Sequence, residues 1–466
     1  MRLYSSFIFF ILTLSAGELS GQPLQRFDSI FSGLYAKGKF NGNVLIAEKG
    51  VIVFQKSYGL ADENTGEKLK DQSVFELASV SKQFTAMGIM ILKESGKLFL
   101  EDSIGKYLPA LQFYGNVTVR NLLHHTGGLP DYMTPVIDAV LPVKKIARNK
   151  DIISVLAKNK IPAVFAPGKK YEYSNTGYAL LASVIEKVSG MSYGKFLEKN
   201  IFKPLNMNNS LVYTRRLMPR KIKNYAYGYV WSDSLKKYVL PDNEKGTDMV
   251  IWLDGIVGDG TVNASAPDLL KWDRALYTNQ LLSPAGMKEL FTKGSLLNKK
   301  NIQYGMGWII DSSKIYGQVV SHSGGWPGYM TYIGRDTDHD KTIIILQNHD
   351  GIPYSASVIR KLLYNLPVTP VKETARAIQL SKEKLESYIG EYELQPEKII
   401  KVFLEENQLK AQLTGQASVH LFAEAEDKFF LKVVSAEIVF LRDASGKVNK
   451  LILQQGGNSP EAIKIK

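Results

Sequence analysis

Ser79-Val80-Ser81-Lys82 places a hydroxyl and an amine three residues apart at the start of a helical pattern that runs from Ser79 to Glu94. Positions i and i+3 share one helix face, so the amine can reach the hydroxyl. A helix N-terminus adds unpaired N–H groups and a partial positive charge, which favour negative charge developing nearby. A lysine whose proton affinity is lowered by burial can then act as the base that activates a serine. The chemistry this implies is acyl transfer through a serine ester. The same spacing recurs at Ser103, Ser192, Ser234 and Ser381, where a solvated helix face accounts for it. Two further groups single out Ser79.

The first is Tyr173-Ser174-Asn175, which follows Ala166-Pro167-Gly168 and opens a helical stretch ending at Val188. A tyrosine hydroxyl can relay a proton between serine, lysine and leaving group, and an asparagine amide can hold a substrate carbonyl. Tyr-x-Asn also occurs at Tyr114 and Tyr277, so this group counts only in company. The second is His322-Ser323-Gly324, on an apolar strand running into Gly325. A strand edge with small residues lets a substrate backbone lie alongside, and the following N–H can point at an oxyanion. His125-Thr126-Gly127 has the same short pattern but precedes Tyr173, so it cannot be the third group in order. The histidines show no metal-ligand spacing, and neither a phosphate loop nor a dinucleotide fingerprint occurs. No metal or cofactor is expected. Gly-x-Ser-x-Gly is absent, which argues against an α/β-hydrolase.

In this order and spacing the three groups resemble the serine β-lactamase and penicillin-binding-protein superfamily, and within it the class C branch of esterases, D-amino-acid peptidases and DD-carboxypeptidases. Leu122-Leu123-His124-His125-Thr126-Gly127-Gly128-Leu129-Pro130, Phe165-Ala166-Pro167-Gly168 and Gly258-Asp259-Gly260-Thr261-Val262 carry the same likeness, which spans residues 30 to 365. The resemblance implies that Ser79 attacks a carbonyl while Lys82 and Tyr173 move its proton. It implies an oxyanion hole made of the Ser79 and Gly325 N–H groups, with Asn175, His322, Ser323 and Gly324 holding the substrate. His322 stands where a lysine is common in the family. A neutral imidazole holds a substrate carboxylate less well, which directs the expectation towards esters or D-amino-acid amides. The alternative is a non-catalytic penicillin- or cell-wall-peptide-binding protein on the same fold.

The elements that must position these groups are legible in outline. Gly42 to Ala47 and Val51 to Lys56, joined through Glu48-Lys49-Gly50, read as a hairpin. Strand signals return at Val319 to His322, Tyr329 to Ile333 and Thr342 to Leu346, and a helix follows from Ala356 to Tyr364. The expected class is α+β: an antiparallel sheet built from both chain ends, flanked by helices, with an all-helical insertion between. Leu366-Pro367-Val368-Thr369-Pro370 marks a linker, 366–371. Beyond it, 372–466 carries short apolar runs between turns, the pattern of a small all-β barrel or sandwich.

With 466 residues, the chain exceeds what one core ordinarily supports. One positive charge, an apolar run from Phe7 to Leu14 and small residues after it read as a signal peptide over residues 1–21, leaving 23–365 for the hydrolase-like unit. Export to the periplasm or medium follows from that reading. The apolar run is too short for a stable membrane anchor. Cysteine is absent, which removes disulfides, thiolate metal sites and a cysteine nucleophile. The formal charge of +13 is spread over polar lysine pairs such as Lys144-Lys145, Lys169-Lys170 and Lys299-Lys300. It reads as solvated surface, with attraction to anionic cell wall as a weaker alternative, and no nucleic-acid partner is expected. The expected partner is a small-molecule or peptide substrate, cell-wall peptides included.

Overall fold

The computed structural model describes residues 21–134, 145–350, 356–368, 377–395, 398–405, 408–414, 418–431, 436–455 and 459–466. The signal-peptide reading for 1–21 and the linker reading for 366–371 lie largely or partly outside them.

The sheet expected from both chain ends is present. Six antiparallel strands run in the order Ile309–Ser313, Gly317–Trp326, Tyr329–Asp336, Lys341–Gln347, Gly42–Glu48 and Val51–Tyr58. The strands from the two ends meet in the middle, where Val44 pairs with Ile345 and Ile46 with Ile343. These central strands are apolar at successive residues because both faces of the sheet are covered. Leu45, Ala47, Ile344 and Leu346 join the large core of the insertion, which is mostly helical rather than all-helical, because Phe75–Glu76 and Leu211–Val212 pair with Val262–Ala264 inside it. Val44, Ile46, Ile343 and Ile345 pack with Phe27 and Phe31 of the helix Gly21–Ala36 and Ile359 of the helix Ala356–Leu363. A strand alternates its side chains between faces, so burying both faces removes the polar positions.

The segment read as one helix from Ser79 divides in two. Ala78–Ser81 forms a 3₁₀ turn, and the α-helix runs Lys82–Glu94. Every residue from Lys82 to Met90 is buried, so this helix passes through the insertion core with no solvent face. Phe84 lies 4.5 Å from the Trp272 ring, whose indole N–H donates to Gln83 at 3.0 Å. The helix Asn175–Ser189 packs beside it and ends at Gly190 in the left-handed conformation, φ +69°.

The C-terminal region settles the choice between barrel and sandwich. Eight antiparallel strands from Gly390–Gln395 to Glu461–Lys464 form a closed barrel, with the last strand returning to the first at Tyr392↔Lys464. Closure leaves no free strand edge. Its interior is filled by Tyr388, Tyr392, Phe429, Phe440, Leu451 and smaller apolar residues.

Candidate active site

Ser79 is half-buried in the 3₁₀ turn, and the turn is held from three sides. The Leu77 N–H donates to the Val262 carbonyl at 2.8 Å, and the Val262 N–H donates to Ser81 Oγ at 3.1 Å. Thr331 Oγ1 donates to the Leu77 carbonyl at 2.7 Å. Ala78, immediately before the serine, has φ +48°, a left-handed conformation that costs a non-glycine residue energy and persists only where surroundings impose it.

Lys82 is fully buried one 3₁₀ turn later, where side chains at i and i+3 eclipse. Its Nζ donates to Ser79 Oγ at 3.2 Å, Asn175 Oδ1 at 2.9 Å and the Asp259 carbonyl at 2.9 Å. Three acceptors match the three protons of an ammonium. On losing one proton, the nitrogen offers a lone pair to the same neighbours, and only the Ser79 hydroxyl has a proton to return. Burial lowers the Lys82 pKa from 10.5 to about 8, against the opposing pull of the Asp259 and Asp131 carboxylates. Burial likewise pushes Asp259 upward, opposed by the Lys82 charge and by Tyr132, whose hydroxyl donates to Asp259 Oδ2 at 2.7 Å.

Tyr173 lies across Lys82, with Nζ 4.9 Å from the ring centre. Burial holds its phenol well above the ordinary range, despite the Ser79 hydroxyl favouring the anion. The hydroxyl is buried and makes no hydrogen bond of good geometry. Ser174 caps the following helix through Gly177 N at 3.2 Å, which fixes Asn175 as its first residue. The Asn175 amide nitrogen donates to Met133 Sδ at 3.3 Å.

His322 and Gly324 face the Ser79 turn, while Ser323 and Gly325 are exposed on the other side of their strand. A Cβ on Gly324 would lie 2.2 Å from the Leu77 carbonyl oxygen, so only glycine allows the strand this close. Pairing with Ile309–Ser313 stops at Ser321, which leaves His322 to Trp326 without a strand partner on that edge among the described residues. The His322 Nδ1 lies 2.7 Å from the Ser323 carbonyl, so it carries the proton, and Nε2 accepts from Tyr304 Oη at 3.0 Å. Burial and then the Lys82 charge lower the His322 pKa to about 4, so the ring is neutral at pH 7.

The structure thus gathers Ser79, Lys82, Tyr173 and Asn175 around one nitrogen, with His322 and Gly324 against the same turn. The lysines of the four other Ser-x-x-Lys copies are exposed or half-exposed. Ser103, Ser192 and Ser381 begin short helices there. Asp259, Asp131 and Tyr132 escaped the sequence reading. The Gly258-Asp259-Gly260 segment, which carries part of the family likeness, turns at Gly258 with φ +106° and brings the Asp259 carbonyl to Lys82.

Comparison with known proteins decides what this arrangement is. Residues 27–363 match the family model described as β-lactamase. The chain belongs to the β-lactamase family. Residues 374–462, covering all but the end of the barrel, match a domain of unknown function, DUF3471. The chain is 41% identical over 451 residues to penicillin-binding protein 4* of Bacillus subtilis, covering 95% of this chain and 99% of that protein. Protein flp of Staphylococcus aureus is 27% identical over 343 residues, 71% of this chain and 64% of its own. Among solved structures, the octameric penicillin-binding protein homologue from Pyrococcus abyssi superposes with a TM-score of 0.62 at 25% identity, over 94% of this chain and 99% of that one. A D-amino acid amidase from Ochrobactrum anthropi shares the fold, with a TM-score of 0.57 at 23% identity over 70% and 91% of the two chains. Members of this family are serine hydrolases, and the sheet and helices are the family architecture expected from the sequence, with the barrel as a separate domain.

Proposed function

We propose that this protein is an exported serine hydrolase that forms an acyl-enzyme on Ser79 and prefers esters or D-amino-acid amides to substrates carrying a carboxylate beside the reacting carbonyl. The observation that carries it is the 3.2 Å contact between Ser79 Oγ and a fully buried lysine with a pKa of about 8. At neutral pH such a lysine spends an appreciable fraction of time as a neutral base, the condition a serine nucleophile requires. Tyr173 stays a phenol across that range, so Lys82 is the base and Tyr173 the relay.

The steps follow. Ser79 Oγ bonds to the substrate carbonyl carbon as its proton passes to Lys82 Nζ, with the Tyr173 hydroxyl relaying it. The oxyanion is held by the N–H groups of Ser79 and Gly325, each such donor contributing on the order of 10²–10³ in rate. The proton moves through Tyr173 to the leaving group, and the carbonyl–leaving-group bond breaks. Water then attacks the ester by the reverse route, releasing the acid and restoring Ser79. Asn175 and Gly324 line the acyl side, and a substrate backbone can pair with the open edge beyond Ser321.

The substrate preference rests on His322. A neutral, internally bonded imidazole supplies no fixed cation for a carboxylate. The name of penicillin-binding protein 4* keeps a second reading in view, covalent capture of penicillins. Intact-mass spectrometry after incubation with a fluorophosphonate and, separately, a fluorescent penicillin separates the two. The expected result is one fluorophosphonate adduct that disappears in Ser79→Ala, with slow or no penicillin labelling. Stable penicillin labelling would move the substrate to cell-wall peptides, and no adduct with either reagent would sink the hydrolase reading.

A further inference from the structure

His125 belongs to the His-Thr-Gly motif that the order of the chain left without a role, yet it lies in the middle of the site. It is buried and has φ +57°, left-handed for a residue with a side chain. Its carbonyl accepts the Glu172 N–H at 2.9 Å, and its ring Nδ1 accepts the Ser174 N–H at 3.1 Å. The residue between those two is Tyr173, whose ring centre lies 4.3 Å from the imidazole. One histidine therefore holds the chain on both sides of Tyr173 and packs against the phenol itself. The next residue continues the grip, since the Thr126 carbonyl accepts the Gly168 N–H at 2.8 Å.

Resting on the acyl-transfer reading above, we propose that His125 is the positioning residue that aims the Tyr173 hydroxyl at the Ser79–Lys82 pair. Two observations carry this beyond ordinary packing. The Tyr173 hydroxyl makes no good hydrogen bond of its own, so its direction is set by the backbone and ring contacts His125 supplies. His125 is also a costly choice for packing alone. Because Nδ1 accepts, the proton sits on Nε2, and that buried N–H has no partner among the described residues. An unpaired buried donor is unfavourable, and a phenylalanine would fill the space without it. What the phenylalanine lacks is the acceptor for Ser174. Burial, followed by the Lys82 charge, keeps the ring neutral, which acceptance at Nδ1 demands.

The test is the second-order rate of fluorophosphonate labelling of Ser79, read by intact mass, in His125→Phe, His125→Asn, Tyr173→Phe and the double variants. His125→Phe keeps an aromatic ring and loses the acceptor, and is expected to slow labelling on the order of 10²-fold, the effect of a misaimed catalytic group. His125→Asn restores an acceptor near the Nδ1 position and is expected to recover at least about tenfold of that loss. In the Tyr173→Phe background the hydroxyl is gone, so either His125 change is expected to slow labelling no further. A structural role would lower the rate in both backgrounds alike. Effects that multiply, or a His125→Phe protein labelled at the wild-type rate, overturn the proposal while leaving the hydrolase reading intact. Should His125→Phe fail to fold, the cycle stands on His125→Asn, whose smaller deficit must likewise vanish beside Tyr173→Phe. A wild type that takes no label overturns the reading of the site and this proposal with it.

Discussion

Raising the pH from 7 to 9 tests the assignment of Lys82 as the base, and the structure fixes the size of the effect. With a pKa of about 8, about one Lys82 in eleven is neutral at pH 7 and about ten in eleven at pH 9. If the neutral amine accepts the Ser79 proton, kcat/KM must rise about tenfold across that interval and then level off. A lysine at its ordinary 10.5 would instead give a rise of about a hundredfold with no plateau. The gap between the two values corresponds to about 3 kcal/mol of preference for the neutral form, at ~1.4 kcal/mol per pH unit, and it comes from burial. The assay is hydrolysis of a p-nitrophenyl ester between pH 6 and 10, with Ser79→Ala as the blank for hydroxide attack. The kcat/KM limb reports the free enzyme, the state described here. Asp259→Asn removes a carboxylate that stabilises the ammonium, so its limb should move to lower pH. A profile that is flat, or that climbs a hundredfold without levelling, refutes the reasoning. So does a limb that survives unchanged in Lys82→Arg.

Two further outcomes follow from packing. Gly324→Ala brings a Cβ against the Leu77 carbonyl and Thr331 Oγ1, and should lower stability by about 1–3 kcal/mol in urea unfolding. Gly325→Ala meets nothing within 4 Å and should melt as wild type; equal melting of the two would contradict the close approach. Asp273 is fully buried and accepts from Arg335 Nε at 2.5 Å, and Arg335 is itself buried. Asp273→Ala strands that guanidinium and should lower stability by about 3–5 kcal/mol. Fluorophosphonate labelling per folded molecule should stay at the wild-type rate, and a matching loss of labelling would mean the pair supports the site as well.

The sequence by itself singled out the candidate residues and the outline of the sheet. Ser79, Lys82 and Asn175 are recognisable because each motif is local: a 3₁₀ turn or a helix start puts residues at fixed spacing into fixed relation. The hairpin after Gly42, the late strands and the helix at Ala356 carry periodicities or turns that a few consecutive residues define. The barrel was left beside a sandwich because closure depends on Tyr392 meeting Lys464, 72 positions away, and no local pattern records that pairing. Nor could spacing tell the Ser79 lysine from the four others, since a sequence lists amines but not their solvation. Only the tertiary structure buries Lys82 among Asn175, Asp259 and Tyr173, drawn from segments roughly 90 to 180 residues apart, and thereby lowers its proton affinity. The same holds for His125, whose role depends on where residues 172 to 174 cross it. A residue's identity is written in the chain, but its proton affinity and its aim are set by what surrounds it.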